Sequence, residues 1–297
     1  MSDSEHTIFI GVDGGGTGCR AAVGTFTDGI LGQADGGRAN VASDPELAIR
    51  NVLVAVGAAA VNAGVSEGAL KAARAHLGLA GVMTGQDKER IASAVPFGSV
   101  VVTDDRQTAV NGALKGQSGY VLSVGTGTIA AAFVDGSYRS VGGWGFHVAD
   151  QASGAWLGRA GLQHVLLCHD GLAEHTDLTR ALFARFQGNP NTITSFSMSA
   201  KPGDYAAFAP EIVEWAAKGD PWGQSIMTAG ADHLARCLTA LGFQSGDTIC
   251  LTGGVGPHYA SYLPPEVLVG QTTCRGSALD GAFQLAKSSQ TFFSEVG

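Results

Sequence analysis

Asp13 stands directly before Gly14, Gly15, Gly16 and Thr17, and a second Gly/Thr run lies further along at Gly125, Thr126, Gly127 and Thr128. Successive backbone N–H groups in such runs form concave anion sites, and missing side chains let a phosphate approach closely. A carboxylate at the edge of such a site could orient a hydrated Mg2+, which favours one or two carboxylates and keeps several waters. A lone Asp-Gly-Gly reads as an ordinary turn. Two such runs together read as loops that hold the β- and γ-phosphates of one nucleotide from two sides.

Other phosphate motifs do not fit. No GxxxxGK[ST] segment occurs, so a P-loop is absent. Gly125-Thr-Gly127-Thr-Ile-Ala130 matches a dinucleotide fingerprint in residue types, but that motif needs a helix immediately after it. Residues 130–138, AAAFVDGSY, read instead as a strand and a hairpin turn.

The elements that must position these loops come as a repeat. Residues 8–37 and 120–143 share one order: a buried apolar run, a Gly/Thr turn, a second run, an Asp-Gly turn (28–29 and 135–136), a third run and a Gly-Gly stop. Asp-Gly between apolar runs favours a hairpin whose two turn positions have φ > 0. Each stretch therefore reads as a three-stranded antiparallel meander. Helix signals come after both: Ser43-Asp44-Pro45-Glu46, read as a capping box with Pro at the start, and Asp150 before ASGAWLGRAGLQHVLL. HLGLAG, SVVVTD and TICLTGGVG read as strands. TGQDKERIASAV, 204–218, 222–241 and SALDGAFQLAKS read as helices. The sum is an α/β chain of two similar domains, 1–116 and 117–297, with a cleft between them and the last helix free to pack on the first domain.

Composition bounds the rest. The 297 residues are 45% hydrophobic and only 15% charged, against roughly 25% charged in an average protein. Bulk disorder is excluded. The 18 Lys plus Arg against 26 Asp plus Glu give a net charge of −8, with no basic cluster, so no nucleic-acid partner is expected. The first residues are acidic and no long apolar stretch occurs, the segment 52–61 being too short to span a bilayer. No membrane partner and a cytoplasmic location are expected. The five cysteines lack CxxC spacing and read as free thiols. His164, His169 and His175 fit no single helix face, so no metal site is expected there.

DGGGT at 13–17, VGTGT at 124–128, LTGGVG at 251–256 and above all GGWGFHVADQASGAWLG at 142–158 resemble the BadF/BadG/BcrA/BcrD-type family of the sugar kinase/Hsp70/actin superfamily. Within it the chain is most similar to N-acetylglucosamine and glucosamine kinases. The resemblance runs from residue 8 to about residue 286. It implies two actin-like (ribonuclease H-like) domains, ATP and Mg2+ as cofactors, and an amino sugar phosphorylated at a primary hydroxyl; it is compatible with a homodimer. Gly14, Gly15, Gly16, Thr17, Gly125, Thr126 and Gly127 would hold the phosphates, Gly253 and Gly254 the adenosine, and Asp13 the metal, through water. Asp105, directly after SVVVT, matches the family's catalytic aspartate and is preferred over Asp104, whose other reading is a helix N-cap. Asn40, Trp144 and Asp150 would contact the sugar. Asp150 could instead be an N-cap, and Trp144 could be core packing.

Where the family often has Asp-Glu-Gly-Ser, this chain has Asp150-Gln151-Ala152-Ser153. The amide leaves glucosamine and N-acetylglucosamine both open. The zinc segment of the neighbouring ROK sugar kinases is absent. Two other readings compete. One is an ATPase that activates a reductase through an iron–sulfur cluster, for which only Cys168 lies in the middle region. The other is a non-catalytic nucleotide or sugar sensor, which would need neither Asp13 nor Asp105.

Overall fold

The computed structural model describes residues 7–288. They divide into two compact units, one running to Gln117 and resuming at Cys274, the other Ser118–Thr273. The last helix of the expected 117–297 domain, left free to pack on the first, lies with the first unit.

In chain order the first unit holds β1 (Ile8–Gly14), β2 (Cys19–Thr25), β3 (Gly29–Gly36), α1 (Pro45–Ala63), α2 (Glu67–Lys71), β4 (Arg74–Leu79), α3 (Gly85–Ala94), β5 (Ser99–Thr103) and α4 (Asp105–Leu114). The second holds β6 (Gly119–Val124), β7 (Thr128–Val134), β8 (Ser137–Gly142), α5 (Gly154–His169), α6 (Asp177–Ala184), α7 (Pro190–Ser197), α8 (Pro202–Ala206), α9 (Ala209–Ala217), α10 (Pro221–Leu241), β9 (Ile249–Thr252) and β10 (Gln271–Thr272). α11 (Ala278–Lys287) returns to the first unit.

The repeat read from the sequence is a repeat of topology. One sheet runs β3-β2-β1-β4-β5 and the other β8-β7-β6-β9-β10, each an antiparallel meander continued by parallel strands. The two Asp-Gly turns differ, however. Asp135 and Gly136 both have positive φ, as a tight two-residue turn requires. In the first hairpin only Gly29 does, because the turn spans Phe26–Asp28 and a bulge shifts the register between Val23 and Gly24.

α1 begins at Asp44, not Ser43: the Asp44 side chain accepts from Leu47 N–H, Pro45 comes next, and Gly64 ends the helix in the left-handed region. The helix extends beyond 52–61 on both sides and is long and apolar enough to cross a membrane. Here Ala48, Val52, Ala55, Val56, Ala59 and Ala60 bury instead in the core with Ile10, Val12, Leu77 and Leu79 of the sheet. The helix expected at 204–218 is broken into α8 and α9. The thiols of Cys19, Cys168 and Cys237 are free, as expected; Cys250 and Cys274 are disulfide-bonded, which the cysteine spacing did not reveal.

The opposite sheet face is covered by α11, which packs on α4 and β1. The approach is close enough that a Cβ on Gly281 would collide with the Thr108 carbonyl and the Gly112 amide, both backbone atoms that cannot turn aside. Gly281→Ala is therefore expected to destabilise the first unit by about 1–3 kcal/mol, the usual cost of overpacking, read as a lower urea midpoint at unchanged slope.

Candidate active site

In the first unit, Asp13 sits near the end of β1, and Gly15 N–H donates to Gly18 O at 2.8 Å to close the Gly/Thr tip. Two neighbouring segments tie that tip down: Ala80 N–H donates to Gly14 O at 2.7 Å and Ala39 N–H to Gly15 O at 3.0 Å. Val41 N–H donates to Ala80 O at 2.8 Å. These bonds place Asn40, between Ala39 and Val41, beside the loop. Its Oδ1 accepts from Ser43 N–H at 3.2 Å in an Asx turn, which leaves the amide nitrogen as the group to offer a ligand. Nothing lies within 4 Å of a Cβ added to Gly16, so that face of the tip is open.

The adjacent aspartates at α4 separate cleanly. Asp104 is the N-cap: its Oδ1 accepts from Arg106 N–H at 2.9 Å and Gln107 N–H at 3.3 Å, and its Oδ2 pairs with the Arg106 guanidinium at 2.5 Å. Asp105 opens the helix, and its carboxylate forms no ion pair among the described residues. Burial pushes its pKa up, the charges of Asp104 and then Asp13 push it further, and Arg106 opposes them. The first unit thus brings Asp13 and Asp105 within electrostatic reach. Asp13 is itself ion-paired to Arg20 at 2.6 Å. One partly buried carboxylate beside a phosphate-type loop suits Mg2+ held largely through water, and Arg20 competes for the same oxygen.

In the second unit the tip at Gly125–Gly127 is fixed by the start of α5, where Gly154 N–H donates to Gly125 O at 2.7 Å and Ala155 N–H to Thr126 O at 3.3 Å. Asp150 is not the N-cap; Ser153 takes that role through Trp156 N–H. Asp150 is buried in the left-handed region (φ 61°) and accepts from the backbone N–H groups of Gly145 and Thr128. Its Oδ1 has no partner among the described residues, and burial raises its pKa despite those bonds. Trp144 is 80% exposed, so its core-packing reading fails; Phe146 packs the core in its place.

A cavity of about 690 Å³ opens beside this tip, lined by Gly125, Thr126, Gly254, Val213, Glu214 and His258 among others. That is the size of a small-ligand site. Gly253 (φ 86°) tucks under the Val124 carbonyl, where any Cβ would clash, whereas Gly254 faces open space. Sequence reading missed the wall from α8 and α9: Ala206, Ala209, Pro210, Val213 and Ala217. Its signal was a run of small residues at helical spacing, indistinguishable from core packing without the fold.

Two sheets of one topology, each ending its first hairpin in a tied-down Gly/Thr tip, define an actin-like (ribonuclease H-like) α/β protein. The chain belongs to the BadF/BadG/BcrA/BcrD ATPase family, whose model matches residues 10–263. The glucosamine kinase GspK of Vibrio cholerae is 32% identical over 94% of this chain and 95% of its own. A solved structure of a candidate N-acetylglucosamine kinase from Chromobacterium violaceum is also 32% identical, over 94% of this chain and 99% of its own, with a TM-score of 0.78. The ROK family glucokinase of Streptomyces griseus, solved with glucose and AMPPNP, shares the fold at 18% identity and a TM-score of 0.53, over 95% of this chain and 100% of its own.

The two neighbouring glycines make a discriminating pair. Gly254→Val should leave thermal stability near that of the wild type while filling the cavity, weakening ATP binding at least about tenfold by calorimetry, a loss of about 1.4 kcal/mol. Gly253→Val should unfold at lower temperature, because its side chain has nowhere to go.

Proposed function

We propose that the protein is an ATP-dependent sugar kinase that phosphorylates an amino sugar, glucosamine or N-acetylglucosamine, at a primary hydroxyl. The observation that carries this reading is the contrast at α4: Asp104 saturated by its cap and Arg106, Asp105 without an ion pair and with a raised pKa. A general base works best when its pKa lies closer to the working pH, and Asp105 is displaced in that direction. In the proposed reaction Asp105 accepts the proton of the sugar hydroxyl while the γ-phosphoryl group transfers in line.

Gly15 and Gly125 shape the tips by donating to Gly18 and Gly127, the amides of Gly16, Thr17, Thr126 and Gly127 hold the phosphates, and the cavity beside Gly254 takes the nucleoside. Asp13 would hold Mg2+, which would supply charge neutralisation to the phosphates. Asn40 donates to the sugar, the spare oxygen of Asp150 accepts from it, and exposed Trp144 offers it a ring face. Gln151 is exposed and can accept from an ammonium without neutralising it. The 32% identity to the Vibrio cholerae glucosamine kinase supports the amino-sugar class.

The test is ADP release with Mg-ATP against glucosamine, N-acetylglucosamine, N-acetylmannosamine, glucose and a no-sugar control. Strong stimulation by one amino sugar is expected; no stimulation by any would overturn the reading. Asp105→Asn should lower kcat by about 10²–10⁴-fold and leave sugar affinity within about tenfold, while full activity would remove Asp105 from its role. The pH profile checks the cause of the raised pKa. The base must be ionised, so activity falls as pH drops through a limb displaced upward from that of an ordinary aspartate. Asp104→Asn removes a neighbouring negative charge, keeps a capping side chain, and should move that limb to lower pH.

A further inference from the structure

We propose that His76 and Thr103 form a buried hydrogen-bond relay that positions Asp105, a role that rests on the kinase reading above. His76 lies in the middle of β4 and is only 5% exposed, in a strand whose other inner positions are Ala75, Leu77, Gly78 and Leu79. An apolar side chain would suit that place at lower desolvation cost. Its Nε2 lies 3.0 Å from the Oγ1 of Thr103, at the end of β5. That Oγ1 in turn donates to the carbonyl of Asp104 at 3.0 Å. The carbonyl belongs to the peptide group that joins Asp104 to Asp105.

The hydrogen count fixes the direction. A hydroxyl has one hydrogen, and Thr103 spends it on the Asp104 carbonyl, so toward His76 it accepts. His76 is therefore the neutral tautomer with hydrogen on Nε2. Burial agrees, lowering its pKa to about 4.

The receiving carbonyl holds a particular place. At α1, α3, α5, α6, α10 and α11 the N-cap carbonyl accepts a backbone N–H four residues on: Ala48 to Asp44, Lys88 to Thr84, Leu157 to Ser153, Arg180 to Thr176, Gln224 to Asp220 and Gly281 to Ser277. At α4 the Asp104 carbonyl accepts from the Thr103 hydroxyl. On the other side of Asp105, buried Thr108 donates its hydroxyl to the Asp105 carbonyl at 2.8 Å. Both peptide groups flanking Asp105 are thus held by threonine hydroxyls, and His76 orients the first. The relay touches no reacting atom; it sets the direction in which the carboxylate of Asp105 leaves the chain. A displacement of about 1 Å in such a group can cost about 10²-fold in rate.

The experiment measures kcat and the sugar KM from ADP release. Thr103→Val keeps the shape and removes the hydroxyl; kcat should fall roughly 10- to 100-fold with the sugar KM nearly unchanged. Thr103→Ser restores the hydroxyl and should recover kcat to within about threefold of the wild type. The deciding arm is the cycle with Asp105→Asn: once the base is gone, Thr103→Val should cost nothing further, because it acts only through Asp105. Should Thr103→Val fold poorly, His76→Phe against His76→Gln carries the same comparison, the Gln amide supplying the lost donor. Unchanged kcat in both Thr103→Val and His76→Phe, no rescue by Ser or Gln, or an equal further loss in the Asp105→Asn background would each overturn the relay. A wild-type protein without sugar-dependent ADP release would instead overturn the kinase reading beneath it, and the relay with it.

Discussion

A peptide group has a donor end and an acceptor end, and in both Gly/Thr tips the acceptor end is occupied by the protein itself. Ala80 and Ala39 bind the carbonyls of Gly14 and Gly15; Gly154 and Ala155 bind those of Gly125 and Thr126. Gly15 N–H and Gly125 N–H close their own tips on the carbonyls of Gly18 and Gly127, so the amides of Gly16, Thr17, Thr126 and Gly127 are the ones left to form an anion site made of backbone. The rest of each unit serves this constraint. In the first, the donors come from the loop after β4 and from the segment carrying Asn40, so holding the Gly/Thr tip also places the Asn40 side chain beside it. In the second, the donors are the first amides of α5, which have no partner within their own helix.

Around these amides the carboxylates divide into two states. Asp104 and Asp13 are each satisfied by an arginine, at 2.5 and 2.6 Å. Asp105 and Asp150 have no such partner among the described residues, and burial raises the pKa of both. Similar side chains in different surroundings are thereby set apart in charge state and availability. The Asp104–Asp105 pair shows this at adjacent positions: the helix start consumes one carboxylate as cap, and the first helical residue keeps the other available. The relay through Thr103 extends the same logic to orientation, since a base with a suitable pKa is useful only if its direction is fixed.

Much of this was legible in the sequence because it is local. The order of apolar runs and turns specified two meanders, and the Gly/Thr tips fell where the first hairpins close. SVVVT ending at an aspartate pair located the candidate base, and the capping chemistry of Asp104 was foreseeable from its side chain. What escaped depended on contacts distant in the chain. The wall from Ala206 to Ala217 becomes a cavity lining only when α8 and α9 lie against Gly125 and Gly254. The sequence left the last helix free to pack on the first domain; that α11 lies there rests on Gly281 and Gly112, which permit a backbone approach no periodicity reports. Ser153 displaced Asp150 as the cap because two left-handed residues put the helix start further on than the pattern suggested.

Those two residues show where the second unit stores strain. Asp150 and Ala152 both have positive φ, 61° and 71°, a conformation that costs a side-chain-bearing residue roughly 1–2 kcal/mol. The position of Ala152 is one where the family resemblance offers a glycine, so this chain accepts a cost that a glycine avoids. The fold holds it in place: Ala152 is fully buried, and the hydroxyl of buried Tyr259 donates to its carbonyl at 2.7 Å. The Asp150 carbonyl accepts from Ser153 N–H at 3.1 Å, closing the turn between the strained pair and the cap. That turn aims the Asp150 carboxylate back at the tip, where a Cβ on Gly127 would lie 2.9 Å from its Oδ2. Strain that persists because its surroundings over-determine it marks a place where geometry is worth more than stability. Here that geometry delivers a buried carboxylate whose Oδ1 is still without a partner among the described residues, beside the Gly/Thr tip of the second unit.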